Sequence, residues 1–169
     1  MTRTLAALLL GILVLGGCSD DDPDPSPDAD PEPAAEPTVS VDQAPDTYGP
    51  LIGTVVEAVA GVSVPASPDG DPASVYFDDE LDSCVFASER YEFDTVFGEE
   101  ASWDDVRAAT EEVLEPEGFE LTEQLDIPGG HNGFDAVTDD GTRLEVRSKL
   151  GNPSTISLDA PVQGDCDRS

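Results

Sequence analysis

Apolar residues recur along this chain with two different periods, and the switches between them mark out its elements. From Tyr48 to Ala60 the spacing is helical: Tyr48, Leu51, Ile52, Val55 and Val59 fall on one face of a 3.6-residue repeat. Asp46 or Thr47 can cap such a helix. Pro50 then sits in its first turn, where a missing N–H does little harm. Gly49 and Gly53 weaken its intrinsic propensity. A second stripe runs through Trp103, Val106, Thr110, Val113 and Leu114. Ser102 and two acids open it in the manner of a capping box, and Pro116 and Gly118 end it. Elsewhere the period is two. Ser74–Phe77 and Cys84–Phe97 read as strands joined by a bend at Asp78–Asp82, after a Pro-, Asp- and Gly-rich loop at 65–73. Phe119, Leu121, Leu125 and Ile127 alternate with polar residues. Phe134–Thr138 leads through the Asp-Gly turn at Asp140-Gly141 into Arg143–Leu150, and Ser154–Val162 follows Gly151-Asn152-Pro153. Alternation through consecutive strands predicts a sheet with one dry and one wet face. The expected fold is α+β: two helices on one face of a mainly antiparallel sheet of five or six strands, in a single domain over residues 47–169.

The amino-terminal region follows neither pattern. Leu5 to Leu15 is an unbroken apolar run preceded by one base, Arg3. A spanning helix needs roughly 20 apolar residues, so the run is too short to cross a bilayer stably and fits a signal-peptide core. It ends in Leu15-Gly16-Gly17-Cys18. These four residues resemble the lipobox of bacterial lipoproteins, with Gly16 where Ala or Ser is usual. The resemblance implies cleavage after residue 17 and diacylglycerol on the Cys18 thiol. The mature protein would then sit on the extracytoplasmic face of the cell membrane, anchored by lipid. Residues 18–46 would follow as a lipidated cysteine and a disordered tether. Between Ser19 and Asp46 there are seven prolines and ten acids, a composition that cannot bury a core. Fully extended at ~3.1 Å per residue, that tether would reach roughly 85 Å.

Charge narrows the partners. The chain has 38 acidic and 7 basic residues, a net charge of −31. From Glu57 onward there remain 28 acids and six bases, about −22. Nucleic acid needs a basic footprint and is excluded on that ground. Anionic headgroups are also unsuitable, which leaves membrane attachment to the lipid on Cys18. The partner expected is an envelope protein or a small ligand.

Chemistry is sparse. Cys84 and Cys166 are the two thiols left once Cys18 is lipidated, and in an oxidising compartment they allow one pairing. His131, the single histidine, lies in a glycine-rich stretch that leads into a strand rather than a helix. Asp78-Asp79-Glu80 with Asp82 lacks the ligand spacing of a calcium loop. Hydrolase, metalloprotease and nucleotide-binding motifs are missing. No metal, cofactor or catalytic residue is therefore expected. Arg143, Arg147 and Lys149 share one face of a strand. Either they receive an anionic group of a ligand or partner, or they pair across strands with Glu120, Asp126 or Asp135.

The segment from Trp103 to Gly118-Phe119, the Asp140–Val146 D-G-T-x-L-x-V hairpin and a cysteine near the end also resemble small uncharacterised lipoproteins of high-GC Gram-positive bacteria. That resemblance implies no activity. The function expected is a non-enzymatic, lipid-anchored binding module of the cell envelope. The alternatives are an envelope enzyme acting on cell-wall material through carboxylates, or a structural acidic surface protein.

Overall fold

Ser154–Val162 alternates without a break between buried and half-exposed residues, and it forms the spine of the sheet, β9. In the computed structural model, which describes residues 35–127 and 131–166, β9 pairs with β8 (Arg143–Lys149), and β8 with β7 (His131–Val137). The other side of β9 is flanked by two short strands in succession, β3 (Ser83–Ala87) and β4 (Tyr91–Phe93). Beyond them lie β2 (Ser74–Asp78), paired with β3, and β1 (Ala66–Pro68), paired with β4. β5 (Glu120–Leu121) and β6 (Leu125–Ile127) line the free edge of β7. Every pair is antiparallel. The architecture is α+β, with nine strands among the described residues rather than five or six.

The larger number has a local cause. Ala87 pairs with Asp159 but Tyr91 with Ile156, so three residues face two and the strand expected over Cys84–Phe97 breaks at a bulge. The strand expected over Phe119–Ile127 breaks in the same way: Leu121 pairs with Ala136, but Leu125 with Gly133. Each bulge holds a hydroxyl residue that closes the gap. Ser88 N–H donates to Leu158 O at 2.8 Å, and Ser88 Oγ accepts from Leu158 N–H at 2.9 Å. Thr122 N–H donates to Asp135 O at 2.8 Å, and Thr122 Oγ1 accepts from Asp135 N–H at 3.0 Å. An extra residue reverses side-chain parity. That reversal lets Phe86 and Phe93, seven positions apart, both enter the core. It also separates Leu121 from Leu125, which therefore do not share a face as expected. The loop expected at 65–73 contributes β1, because Ala66–Pro68 pairs with β4.

Both helices cover the dry face. α1 (Ala44–Val62) buries Tyr48, Ile52, Val55, Val56 and Val59, and the Tyr48 ring stacks on Phe86 with centroids 5.8 Å apart. α2 (Trp103–Leu114) begins where Ser102 Oγ accepts from Asp104 N–H at 3.2 Å. It ends through a 3₁₀ turn, Glu115–Glu117, on Gly118 in the left-handed region. Trp103 packs edge-on against Phe97 and Phe134. Beneath the helices lie Phe134, Leu144, Val146, Ile156 and Leu158, all fully buried.

The chain joins the domain earlier than residue 47. Val39 and Val41 pack against the core, Val41 N–H donates to Gln163 O at 2.9 Å, and Gln163 N–H donates to Val39 O at 2.8 Å. α1 starts at Ala44 rather than Tyr48, with Pro45 in its first turn and Pro50 in its interior. Gln43, not Asp46 or Thr47, holds the cap position. Residues 35–46 thus belong to the domain. Cys18 and the expected signal peptide lie outside the described residues. Among the described residues no helix is long and apolar enough to cross a membrane.

Candidate functional site

The outer surface of the helical layer is not smooth. An open groove of about 930 Å³ is lined by residues of both α1 and α2. Its α1 wall is Leu51, Thr54, Ala58 and Val62, each three or four residues after the last and therefore one stripe. Its other wall is Ala109, Glu112 and Val113 of α2, continued by Pro116 of the 3₁₀ turn. Phe119, buried, and the β7–β8 turn residues Thr138, Asp140 and Thr142 close one end. Thr54, Val62, Glu112 and Pro116 are open to solvent, Val62 at 43 % exposure.

The closed end is built rigidly. Tyr48 Oη lies 3.5 Å from Thr142 Oγ1, which fixes the start of α1 to the turn. Burial pushes the Tyr48 hydroxyl's pKa up, and the nearby Asp140 carboxylate adds to this against the Thr142 contact. In the turn, Asp140 Oδ1 accepts from Thr142 N–H at 3.2 Å and from the Thr138 hydroxyl, while Gly141 takes a φ of 85°. Burial alone would raise the Asp140 pKa; these hydrogen bonds outweigh it and hold the carboxyl below its usual range. Glu112 and Glu117 are the exposed acids of the groove, and among the described residues no Lys, Arg or His lines it.

The residues singled out in the sequence lie elsewhere. Arg143 and Arg147 are on the opposite face of the sheet and are already paired. Asp135 Oδ2 is 2.6 Å from Arg143 Nη2, and Asp135 Oδ1 is 2.6 Å from Arg147 Nη2. Glu145 Oε1, between them on β8, is 2.9 and 3.2 Å from the same two nitrogens. Asp135 Oδ1 accepts no well-angled hydrogen bond, so its contact with Arg147 is ionic rather than directional. Arg147 Nη1 also donates to Phe134 O at 2.9 Å and to Val146 O at 3.1 Å. Its side chain crosses Gly133, where a Cβ would meet Val146 O at 2.2 Å. Among the described side chains Asp135 serves as the partner and Glu120 does not; the Asp126 side chain lies outside the described residues. Lys149 makes no ion pair among the described residues and stands apart from the cluster. Arg143, Arg147, Asp135 and Glu145 thus form a charge network on that face.

His131 is half-buried at the start of β7, paired with Lys149 and Ile127, and is not a groove residue. Residues 128–130 lie outside the described residues. Asp78 accepts from the Glu80 and Leu81 N–H groups at 2.8 and 3.0 Å, so its carboxylate is engaged in its own hairpin loop. Among the described residues no group of three or more His, Cys, Asp and Glu is placed to hold a metal ion. Cys84 and Cys166 are joined in a disulfide, with Cα atoms 5.9 Å apart. Sequence reasoning missed the groove. The signal was a second helical stripe, Leu51, Thr54, Ala58 and Val62, beside the buried one and extending past the expected end of α1.

No protein-family model matches the chain, and no curated protein matches it. The fold is similar to that of a solved protein, a DUF4853 family protein from Actinomyces odontolyticus. The two superpose with a TM-score of 0.52 at 13 % sequence identity, over 76 % of this chain and 72 % of the other. At that identity the likeness is one of fold. It agrees with the domain's resemblance to uncharacterised proteins of high-GC Gram-positive bacteria.

Proposed function

We propose that this chain is a lipid-anchored protein of the cell envelope whose α+β domain is a non-enzymatic binding module, and that the helix-side groove is its binding surface. The observation that carries this reading is the groove itself. It is a mostly apolar, solvent-open channel on the surface of a domain of about −25, with 31 acids and six bases from residue 35 onward, and contiguous exposed apolar surface marks interaction sites. Export and anchoring rest on the lipobox resemblance at Leu15–Cys18. Since residues 35–46 are part of the domain, what remains of the expected tether lies outside the described residues.

Two experiments test the reading. A photo-crosslinking residue at Thr54 or Glu112 in living cells is expected to give discrete adducts, and the same residue at Thr155 on the opposite sheet face is expected to give none. Adducts from Thr155 alone, or none from the groove, would remove the groove from consideration. Separately, Cys18→Ala is expected to abolish acylation, read by intact mass of the membrane fraction. A wild-type chain without acyl mass would end the anchoring proposal.

A further inference from the structure

We infer that the occupant of the groove is a basic amphipathic helical segment of a partner protein; this rests on the groove reading above. Shape favours a helix over a small molecule. Small-ligand sites enclose most of the ligand's surface. Here both walls open to solvent; the α1 wall runs from Thr47 to Val62, about 22 Å or four helical turns at 1.5 Å per residue, and the facing wall, Ala109 to Glu117, covers about half of that length. The walls at Thr54, Ala58, Gly61 and Ala109 are low, which allows the close axial approach of a packed helix. An apolar stripe of the incoming segment would cover Leu51, Val62 and Val113, in the helix-in-groove mode of recognition.

Charge sets the sign of the segment. α1 contains no base. The single base of α2, Arg107, is turned away: its guanidinium lies 4.8 Å over the Phe134 ring, beneath the helix. Among the described residues Glu112, Glu117 and Asp140 along the groove therefore meet no neighbouring cation on the helical face. Lys or Arg at the borders of an apolar stripe can lay their stems on the groove wall and reach these carboxylates. An acidic segment, or a second copy of this acidic chain, would bring like charge to the same rim and is disfavoured.

The test uses the mature chain, residues 18–169, with Cys18→Ser so that no lipid competes for the probe. Three labelled synthetic peptides of about 16 residues are titrated by fluorescence anisotropy. One is a Leu/Lys helix with its leucines on one face, one is a scramble of the same composition, and one is a Leu/Glu helix of the same pattern. The patterned Leu/Lys peptide should bind, the scramble should bind at least ~10-fold more weakly, and the Leu/Glu peptide should not bind, with affinity falling as salt rises. Glu112→Gln with Glu117→Gln should weaken binding several-fold, about what exposed pairs contribute. Asp79→Asn with Glu80→Gln, the same charge change in the β2–β3 loop, should not weaken it. Ala58→Lys should abolish it, and the exposed double variant stands in if Ala58→Lys fails to fold. Equal binding of the scramble, or equal loss in the loop control, would reduce the effect to general attraction and overturn the inference. Binding of the Leu/Glu peptide would overturn it as well. Crosslinks from Thr54 or Glu112 in cells alongside failure of the Leu/Lys peptide would sink this inference and leave the groove reading standing. Absence of those crosslinks would sink the groove reading itself.

Discussion

Asp159 lies on the half-exposed side of β9, in register with Arg143 and Ala87. Burial raises its pKa above the ordinary carboxylate value; Glu145 and Asp78 add to the shift, and Arg143 works against it. An acid whose folded pKa is raised binds its proton more tightly folded than unfolded. Its contribution to stability is complete below the unfolded pKa of about 3.9 and is lost as pH rises through the folded value. Asp159→Asn should therefore stabilise the domain at pH 7, and the advantage should shrink towards pH 4. Urea titrations of both proteins at the two pH values check this. A variant destabilised at pH 7 would show that Arg143 holds the carboxylate charged. Asp140 runs the opposite way, because its pKa is lowered: its contribution is present above the unfolded pKa and fades as pH falls through the folded one.

At the scale of elements, the two bulges decide how the sheet is divided, and each depends on one hydroxyl. Leu158 is fully buried, and its N–H is satisfied by Ser88 Oγ. Ser88→Ala would leave that donor without its acceptor, at a cost of about 1–3 kcal/mol. The expected result is a lower denaturation midpoint with an unchanged slope, whereas an unchanged midpoint would mean that water replaces the hydroxyl. The bulges also explain how far the elements could be read in advance. α2, β8 and β9 were legible almost to the residue, because a long regular pattern with its own start and stop signals leaves little choice. Cys84–Phe97 carried a warning, since Cys84 and Phe86 are even-numbered while Phe93, Thr95 and Phe97 are odd; that slip of phase is the bulge. Phe119–Ile127 carried none, because its apolar residues keep one parity while the chain changes face beneath them. The early start of α1 was hidden by proline-rich surroundings, although Pro45 suits a first turn and Val39 and Val41 were apolar. Arg143 and Arg147 were rightly placed on one face, but their pairing with Asp135 depends on register between strands, which no single segment encodes.

At the scale of the molecule, both ends of the domain converge on the segment after β9. Gln163 pairs with Val39 and Val41 near the start, and Cys166 is bonded to Cys84, 82 residues earlier, on β3. The final strand is thereby held against the amino-terminal segment by hydrogen bonds and against the sheet by a covalent link. Closing a loop of that length removes unfolded-state entropy equivalent to about 4 kcal/mol in the chain-entropy model. For a domain of this size such a loss corresponds to a fall in melting temperature of about 10–15 °C. Reduction, or Cys84→Ser with Cys166→Ser, should produce that fall. The amides of Val41 and Gln163 should exchange faster before the β7–β8–β9 core is affected, because the bond tethers the end of the chain rather than its centre. If the chain is exported as proposed, this stability is conditional on leaving the cytosol, where thiols stay reduced. A chain lacking residues 1–17, and so kept inside the cell, should carry three free thiols, the unacylated Cys18 among them, and melt at the temperature of the double serine variant. Coincident melting of the retained and exported forms would show that the bridge adds no stability. A full complement of free thiols on the exported form would show that it does not form there.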